Sequence, residues 1–254
     1  MKVVRTIAEL ETTSGTGLVP TMGALHAGHQ ALLAAARQEN DRVVMSLFVN
    51  PAQFDEQADL AAYPRDEARD LEIAAAAGVD VVFAPSAAEL YPAGFATWVE
   101  PDETGAEGVA RPGHFRGVAT VCLKLFNIVG PERAYFGQKD AQQVAVIRQL
   151  VRDLNAPLEI RVVPTVRDPD GLALSSRNVH LSAAERERAL DLPRALQSAV
   201  GSADPVGAVR ASLNGLSPDY VEAVDLGDAK VLAAAVRVGS TRLIDNVLLE
   251  GDLS

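Results

Sequence analysis

The chain has 254 residues, of which 48% are hydrophobic and 22% charged, enough for a packed core and inconsistent with wholesale disorder. That length suits one large domain followed by a small one. A formal net charge of -11 argues against a nucleic-acid partner, which wants surplus Lys and Arg, but allows a local cationic cluster around a small anion. The lone cysteine, Cys122, excludes an internal disulfide and a cysteine-rich zinc cage, and within VATVCLKLF it reads as a buried hydrophobe. MKVVRTIAEL turns polar too soon for a signal peptide, and no apolar run reaches membrane-spanning length. A cytoplasmic protein without membrane contact is expected.

In chain order, GLVP (17–20) reads as a strand end and ALLAAARQ as helix. RVVMSLFV (42–49) is a buried strand stopping at Asn50-Pro51, and DEARDLEIAAAAG (66–78) is helix with Gly78 as its stop. VDVVFAP is strand, GVATVCLKLFNIVG (117–130) an apolar helix despite its β-branched residues, RAYFG strand, AQQVAVIRQLVRDL helix and LEIRVVPTV strand. This alternation predicts an α/β fold, a parallel sheet with helices on both faces. After about residue 165 turn formers dominate, with Asp170-Gly171 as a hairpin signal. One helix over AAERERALDLPRALQSAV, a loop around Pro205 and strands DYVEAVDL and STRLIDNVLLEG then predict a small α+β domain over 166–254, following a first domain over 1–165.

In parallel sheets, ligands sit at the carboxyl ends of strands, and the unusual residues fall there. The chain has no G-x-x-x-x-G-K segment and no G-x-G-x-x-G after its first strand, so a P-loop or ordinary dinucleotide site is not expected. PTMGALHAGH places His26 and His29 around Gly28 at a helix start. The pair could be half a zinc site, although a third ligand is missing nearby, or structural filler in a turn. As a phosphate site it makes chemical sense: free helix N–H groups, a close backbone approach at Gly28 and two imidazole donors. FGQKDAQQ adds Lys139 beside a helix start with Asp140 as a possible cap, and LALSSRN adds Ser175, Ser176 and Arg177 on a turn. Together these segments could clamp a triphosphate. In SLFVNPAQFD, Asn50, Gln53 and Asp55 suit a ligand with hydroxyls and a carboxylate, or simply close a turn at Asn-Pro.

In order, PTMGALHAGH, SLFVNPAQFD, RPGHFRGVATVCLKLFN, YFGQKD and LSSRN resemble the landmarks of the pantothenate synthetase (pantoate–β-alanine ligase) family. The resemblance implies a Rossmann-like doubly wound sheet with a C-terminal lid, a homodimer, and ATP with Mg²⁺. It implies ATP contacts at Met22, Gly23, Ala24, Leu25, His26, Ala27, Gly28 and His29, with His29 as proton donor. It adds Gly137, Gln138, Lys139 and Asp140, the Val166 backbone at the adenine, and Leu174, Ser175, Ser176 and Arg177 at the phosphates. Gln53 would touch pantoate and β-alanine, and Gln143 pantoate. The sequence departs from the family's usual pattern at Gln138, Ala141 and Leu174, where Glu, an aromatic residue and Met are expected.

The implied chemistry is an acid–amine ligation through a pantoyl adenylate, in which His26, His29, Lys139 and Arg177 stabilise phosphate charge. A nucleotidyltransferase adenylating a phosphorylated acceptor is the alternative, but it should want a cationic acceptor pocket in place of Gln53 and Gln143. A non-catalytic nucleotide-binding module would bind ATP without releasing pyrophosphate.

Overall fold

The fold comes from a computed structural model that describes residues 1–55, 57–103 and 105–253. Its first part runs β1 (Lys2–Val4), β2 (Thr16–Thr21), α1 (Ala27–Glu39), β3 (Arg42–Leu47), α2 (Gln57–Ala62), α3 (Glu67–Ala76) and β4 (Val81–Phe83). It continues with α4 (Ala87–Leu90), α5 (Ala106–Ala110), α6 (His114–Val129), β5 (Arg133–Gly137), α7 (Ala141–Asp153) and β6 (Glu159–Val163). These strands make one six-stranded parallel sheet among the described residues, in the order β1-β4-β3-β2-β5-β6.

Alternation along each strand builds two cores. Leu18, Val44, Phe83, Ala134 and Phe136 pack under α6 and α7 with Phe115, Ala119, Val144 and Ile147. Their neighbours Val19, Val43, Met45, Val82 and Tyr135 pack on the opposite face with Leu32, Leu33 and Ala36 of α1 and Ala74 of α3. The sheet is therefore Rossmann-like and doubly wound. From β2 the chain winds outward through β3 to β4, then restarts on the other side with β5 and β6. The crevice where winding reverses lies beyond the carboxyl ends of β2 and β5, the place such sheets bind ligands.

α6 is helical despite its β-branched residues because most of it is buried under the sheet, and Gly130 at φ 60° closes it. It begins one turn earlier than the apolar run suggests. The Glu103 carboxylate accepts the N–H groups of Gly113 (2.7 Å) and Arg116 (2.9 Å), a start signal ten residues away in sequence.

The remainder comprises α8 (Ala183–Ala189), α9 (Asp191–Ala199), α10 (Pro205–Ser212), β7 (Ser217–Asp225), β8 (Ala229–Val238) and β9 (Thr241–Gly251), the strands forming an antiparallel sheet. Two expectations are corrected here, and one strand is added that the sequence pattern leaves unassigned. The helix expected over 183–200 is two, jointed at Leu190; Pro193 lies in the first turn of α9, where its missing N–H is tolerated. The loop expected around Pro205 is a helix, with Asp204 accepting the Gly207 N–H at 2.9 Å and proline opening the first turn. Alanine-rich AKVLAAAVRV is the central strand β8, held by ladders on both sides and by burial of Leu232, Ala234, Val236 and Val238.

Ala141, Ala229, Val231 and Leu253 form a further apolar cluster, which packs the antiparallel sheet against the start of α7. Beside it, Arg242 of β9 forms a two-pronged pair with Glu107 of α5, both contacts 2.8 Å.

Candidate active site

A cleft of about 930 Å³ opens between the carboxyl ends of β2, β3 and β5 and the C-terminal sheet. The loop after β2 is held from behind by Asp70 of α3. Its buried carboxylate accepts the N–H groups of Ala24 (2.9 Å) and Leu25 (2.7 Å), and Gly23 at φ 84° makes the turn. Those two N–H groups are therefore already bonded, and Leu25 points into the core rather than the cleft.

The two histidines cap α1 reciprocally. His26 Nδ1 accepts the Gly28 N–H at 3.1 Å, and His29 Nδ1 accepts the His26 N–H at 3.3 Å, with the rings 4.1 Å apart. A helix start expected to offer free N–H groups thus has its Gly28 N–H taken by a ring. With both Nδ1 atoms accepting, each neutral ring carries its proton on Nε2, so the two imidazoles take over as donors. Burial, reinforced by the charge of Lys139, lowers His26 to about 4. Burial, the neighbouring His26 and Lys139 lower His29 to about 3. Both are neutral at physiological pH.

After β3, Asn50 is buried and fully engaged. Its Nδ2 donates to Gln53 Oε1 (2.9 Å) and Gly117 O (3.2 Å), while its Oδ1 accepts from Ala52 N–H (3.2 Å) and the Tyr91 hydroxyl (2.9 Å). It orients Gln53 rather than presenting polar atoms to a ligand. With Gln53 Oε1 taken, the Nε2 donors remain for a substrate. The Gln53 carbonyl accepts from Arg111 (3.1 Å) and faces His114 Nδ1 at 2.8 Å, and Arg111 also pairs with Asp55 at 3.2 Å. Gly117 lets α6 approach this turn: a Cβ there would lie 2.2 Å from Ala52 O.

After β5, Lys139 lines the cleft with its ammonium 3.3 Å from Asp140 Oδ1. Across the cleft, Ser175 Oγ caps the following turn by accepting the Arg177 N–H at 3.3 Å. Arg177 pairs with Asp59 at 3.1 Å, and Ser176 Oγ stands 3.5 Å from the hydroxyl of buried Tyr63. Leu174 N–H donates to Val166 O at 3.0 Å, which brings these two expected adenine and phosphate positions side by side.

The cleft therefore gathers Met22, His26, Gly28, His29, Gln53, Gly137, Lys139, Asp140, Gln143, Val166, Leu174, Ser175, Ser176 and Arg177 on its walls. Gly23, Ala24, Leu25, Ala27 and Gln138 do not line it. Cationic Arg111 and Arg242 line it without having been singled out in the sequence. Arg111 lies in RPGH, and no local pattern marks its partner Gln53 fifty-eight residues away.

A sequence profile described as Pantoate-beta-alanine ligase matches residues 1–248. The chain belongs to the pantoate–β-alanine ligase family. Pantothenate synthetase of Roseiflexus castenholzii is 52% identical, over 98% of this chain and 100% of that protein. That of Chloroflexus aurantiacus is 53% identical, over 99% of each. Among solved structures, pantothenate synthetase from Thermus thermophilus superposes with a TM-score of 0.93 at 44% identity, covering 98% of this chain and 100% of that one. Pantoate-beta-alanine ligase from Francisella tularensis, solved with beta-gamma ATP and beta-alanine, gives 0.88 at 38% identity over 100% of both. In this family member, as in those structures, a parallel sheet carries a smaller C-terminal antiparallel one.

Proposed function

We propose that this cleft joins pantoate to β-alanine in two ATP-dependent steps through a pantoyl adenylate. Family membership supplies the overall reaction: the chain is an ATP-dependent pantoate–β-alanine ligase. The observation that carries the site reading is convergence. Imidazoles from the end of β2, Lys139 from the end of β5 and Arg177 from the hairpin beyond β6 line the same cleft as Gln53 and Gln143.

A carboxylate does not form an amide unaided at neutral pH, because its oxygen leaves poorly. In the first step a pantoate carboxylate oxygen attacks the α-phosphorus, and the bond to the bridging oxygen of pyrophosphate breaks. In the second, the neutral amine of β-alanine attacks the pantoyl carbonyl, AMP leaves with the former carboxylate oxygen, and the amine loses a proton. His26 and His29 act as neutral Nε2–H donors to phosphate oxygens, with His29 nearest the proton-donor role. Lys139 and Arg177 supply charge for the developing pyrophosphate. Arg177 exchanges Asp59 for phosphate on binding. Gln53, held by Asn50 to present its amide donors, serves the carboxylates of pantoate and β-alanine, and Gln143 serves pantoate. Met22–His29, Gly137–Asp140, Val166 and Leu174–Arg177 make the ATP-binding surface; of these, Gly23, Ala24, Leu25, Ala27 and Gln138 act by shaping the loops rather than by side-chain contact.

Mg²⁺ enters on the ATP phosphates as part of the substrate. Among the described residues no group of three or more His, Cys, Asp or Glu side chains is arranged to hold a metal, so no step is assigned to a resident ion. Residues 166–254 serve as the lid over residues 1–165, the working form is a homodimer, and the setting is cytoplasmic; among the described residues no helix is long and apolar enough to cross a membrane. Pantoate alone should support exchange of labelled pyrophosphate into ATP. Exchange that requires β-alanine, or that nicotinamide mononucleotide or phosphopantetheine supports in place of pantoate, would overturn the two-step scheme.

A further inference from the structure

We infer that Asp245 and Asn246, adjacent on β9, form a positioning device that sets Lys139 and the Ser175–Arg177 turn at one fixed spacing; the catalytic part of this inference rests on the reaction proposed above. Asn246 is buried, and its Nδ2 donates to two successive carbonyls, Gln138 O at 3.0 Å and Lys139 O at 2.8 Å. These carbonyls belong to the tight turn Gln138–Asp140 that ends β5 and starts α7. An amide has two such hydrogens, so both are engaged. Turning the side chain over would point Oδ1 at both carbonyls, so its orientation is fixed by chemistry. Lys139's own side chain contacts its neighbour Asp140 at 3.3 Å, so among the described residues these two bonds are what tie the turn to β9.

The preceding residue does the same for the opposite wall. Buried Asp245 accepts Arg167 through both oxygens, at 2.6 and 3.0 Å, and orients its neighbour by accepting the Asn246 N–H at 2.8 Å. Arg167 also donates to Gly171 O at 3.1 Å and pairs with Ala173 across the hairpin, whose returning arm leads into Leu174–Arg177. Two adjacent β9 residues therefore hold both loops that bring Lys139 and Arg177 to the cleft. Neighbouring residues on a strand are fixed relative to one another, so the gap between the loops is set by one short piece of backbone. Misplacement of a reacting charge by about 1 Å costs roughly 10²-fold in rate, which is the leverage such a device has.

The test is a double-mutant cycle on pyrophosphate exchange with pantoate and ATP. Asn246→Ala should slow exchange by about 10²-fold, with the loss in kcat and the KM for pantoate unchanged. In a Lys139→Ala background the same change should add almost nothing, because the group it positions is already gone. Asn246→Ser keeps one donor and should fall between wild type and Asn246→Ala. Asn246→Asp, which puts a carboxylate against two carbonyls, should be the slowest. If Asn246→Ala fails to fold, the serine variant carries the cycle. Equal slowing in both backgrounds would overturn the inference and leave Asn246 a merely structural residue. If wild type shows no pantoate-dependent exchange, the proposed reaction fails separately. Amide hydrogen exchange then decides the positioning: faster exchange at 138–141 in Asn246→Ala, with α1 unchanged, supports it, and unaltered protection there refutes it.

Discussion

Replacing Gly28 with alanine should impair the cleft without loosening the helix that carries it. A Cβ at this position would lie 2.9 Å from His26 Cε1 and 3.0 Å from His26 Nδ1. Carbon atoms rest at about 3.5–4.0 Å, so the imidazole must retreat by roughly 0.5–1 Å. Its 3.1 Å bond from the residue 28 N–H then weakens or breaks, and with it the reciprocal cap. Losing a cap costs about 1 kcal/mol, and Gly→Ala, which gains up to about 1 kcal/mol in a helix interior, offsets part of that at this second position of α1. Thermal stability should therefore stay close to that of wild type. The displaced ring no longer presents Nε2–H where the phosphates need it, and a shift of that size should slow pyrophosphate exchange by roughly 10²-fold. The paired assays are a thermal unfolding curve and initial rates of exchange at saturating pantoate. Wild-type rates in Gly28→Ala would refute the reasoning that a Cβ here unseats the His26 ring; a large fall in melting temperature would show that the cap outweighs the propensity gain.

Gln143→Ala should weaken use of pantoate and narrow its preference over a deoxy analogue, with ATP affinity near normal, since a site built to bond a hydroxyl penalises its absence; titrations with both acids at saturating ATP check this. Neutral His26 and His29, with pKa values near 4 and 3, should leave exchange rates without an imidazole inflection near pH 6.5. For stability, the unfolded chain protonates these rings near 6.5 whereas the folded one resists until about 4 and 3, so their linkage destabilises the fold as pH falls below about 6.5. His29→Gln should flatten that acid-side decline in a melting-temperature series. Arg242→Ala leaves buried Glu107 with Arg111 at 3.5 Å as its remaining cation and should cost roughly 3 kcal/mol, read from denaturant unfolding.

The parallel sheet was legible because β2, β3 and β5 are short apolar runs separated by helix-period segments, and each parallel strand must be followed by a crossover. HAGH was legible as a helix start, but not as a cap in which one ring consumes the Gly28 N–H, because Ser, Thr, Asp or Asn is the usual capping signal. Asp70, Arg111 and Asn246 were not legible as site-builders. Each acts on backbone groups forty or more residues away, and nothing local in the sequence encodes such a partner. β8 was missed for a different reason: an alanine-rich segment has no period of its own, and its two neighbouring strands decide its conformation.

The reaction through an adenylate is tested most directly by following the carboxylate oxygen. Pantoate labelled with heavy oxygen in its carboxylate, incubated with ATP, β-alanine and this protein, should yield AMP carrying one labelled oxygen and an amide carbonyl carrying the other. Label appearing in inorganic phosphate alongside ADP, or AMP formed without label, would contradict it.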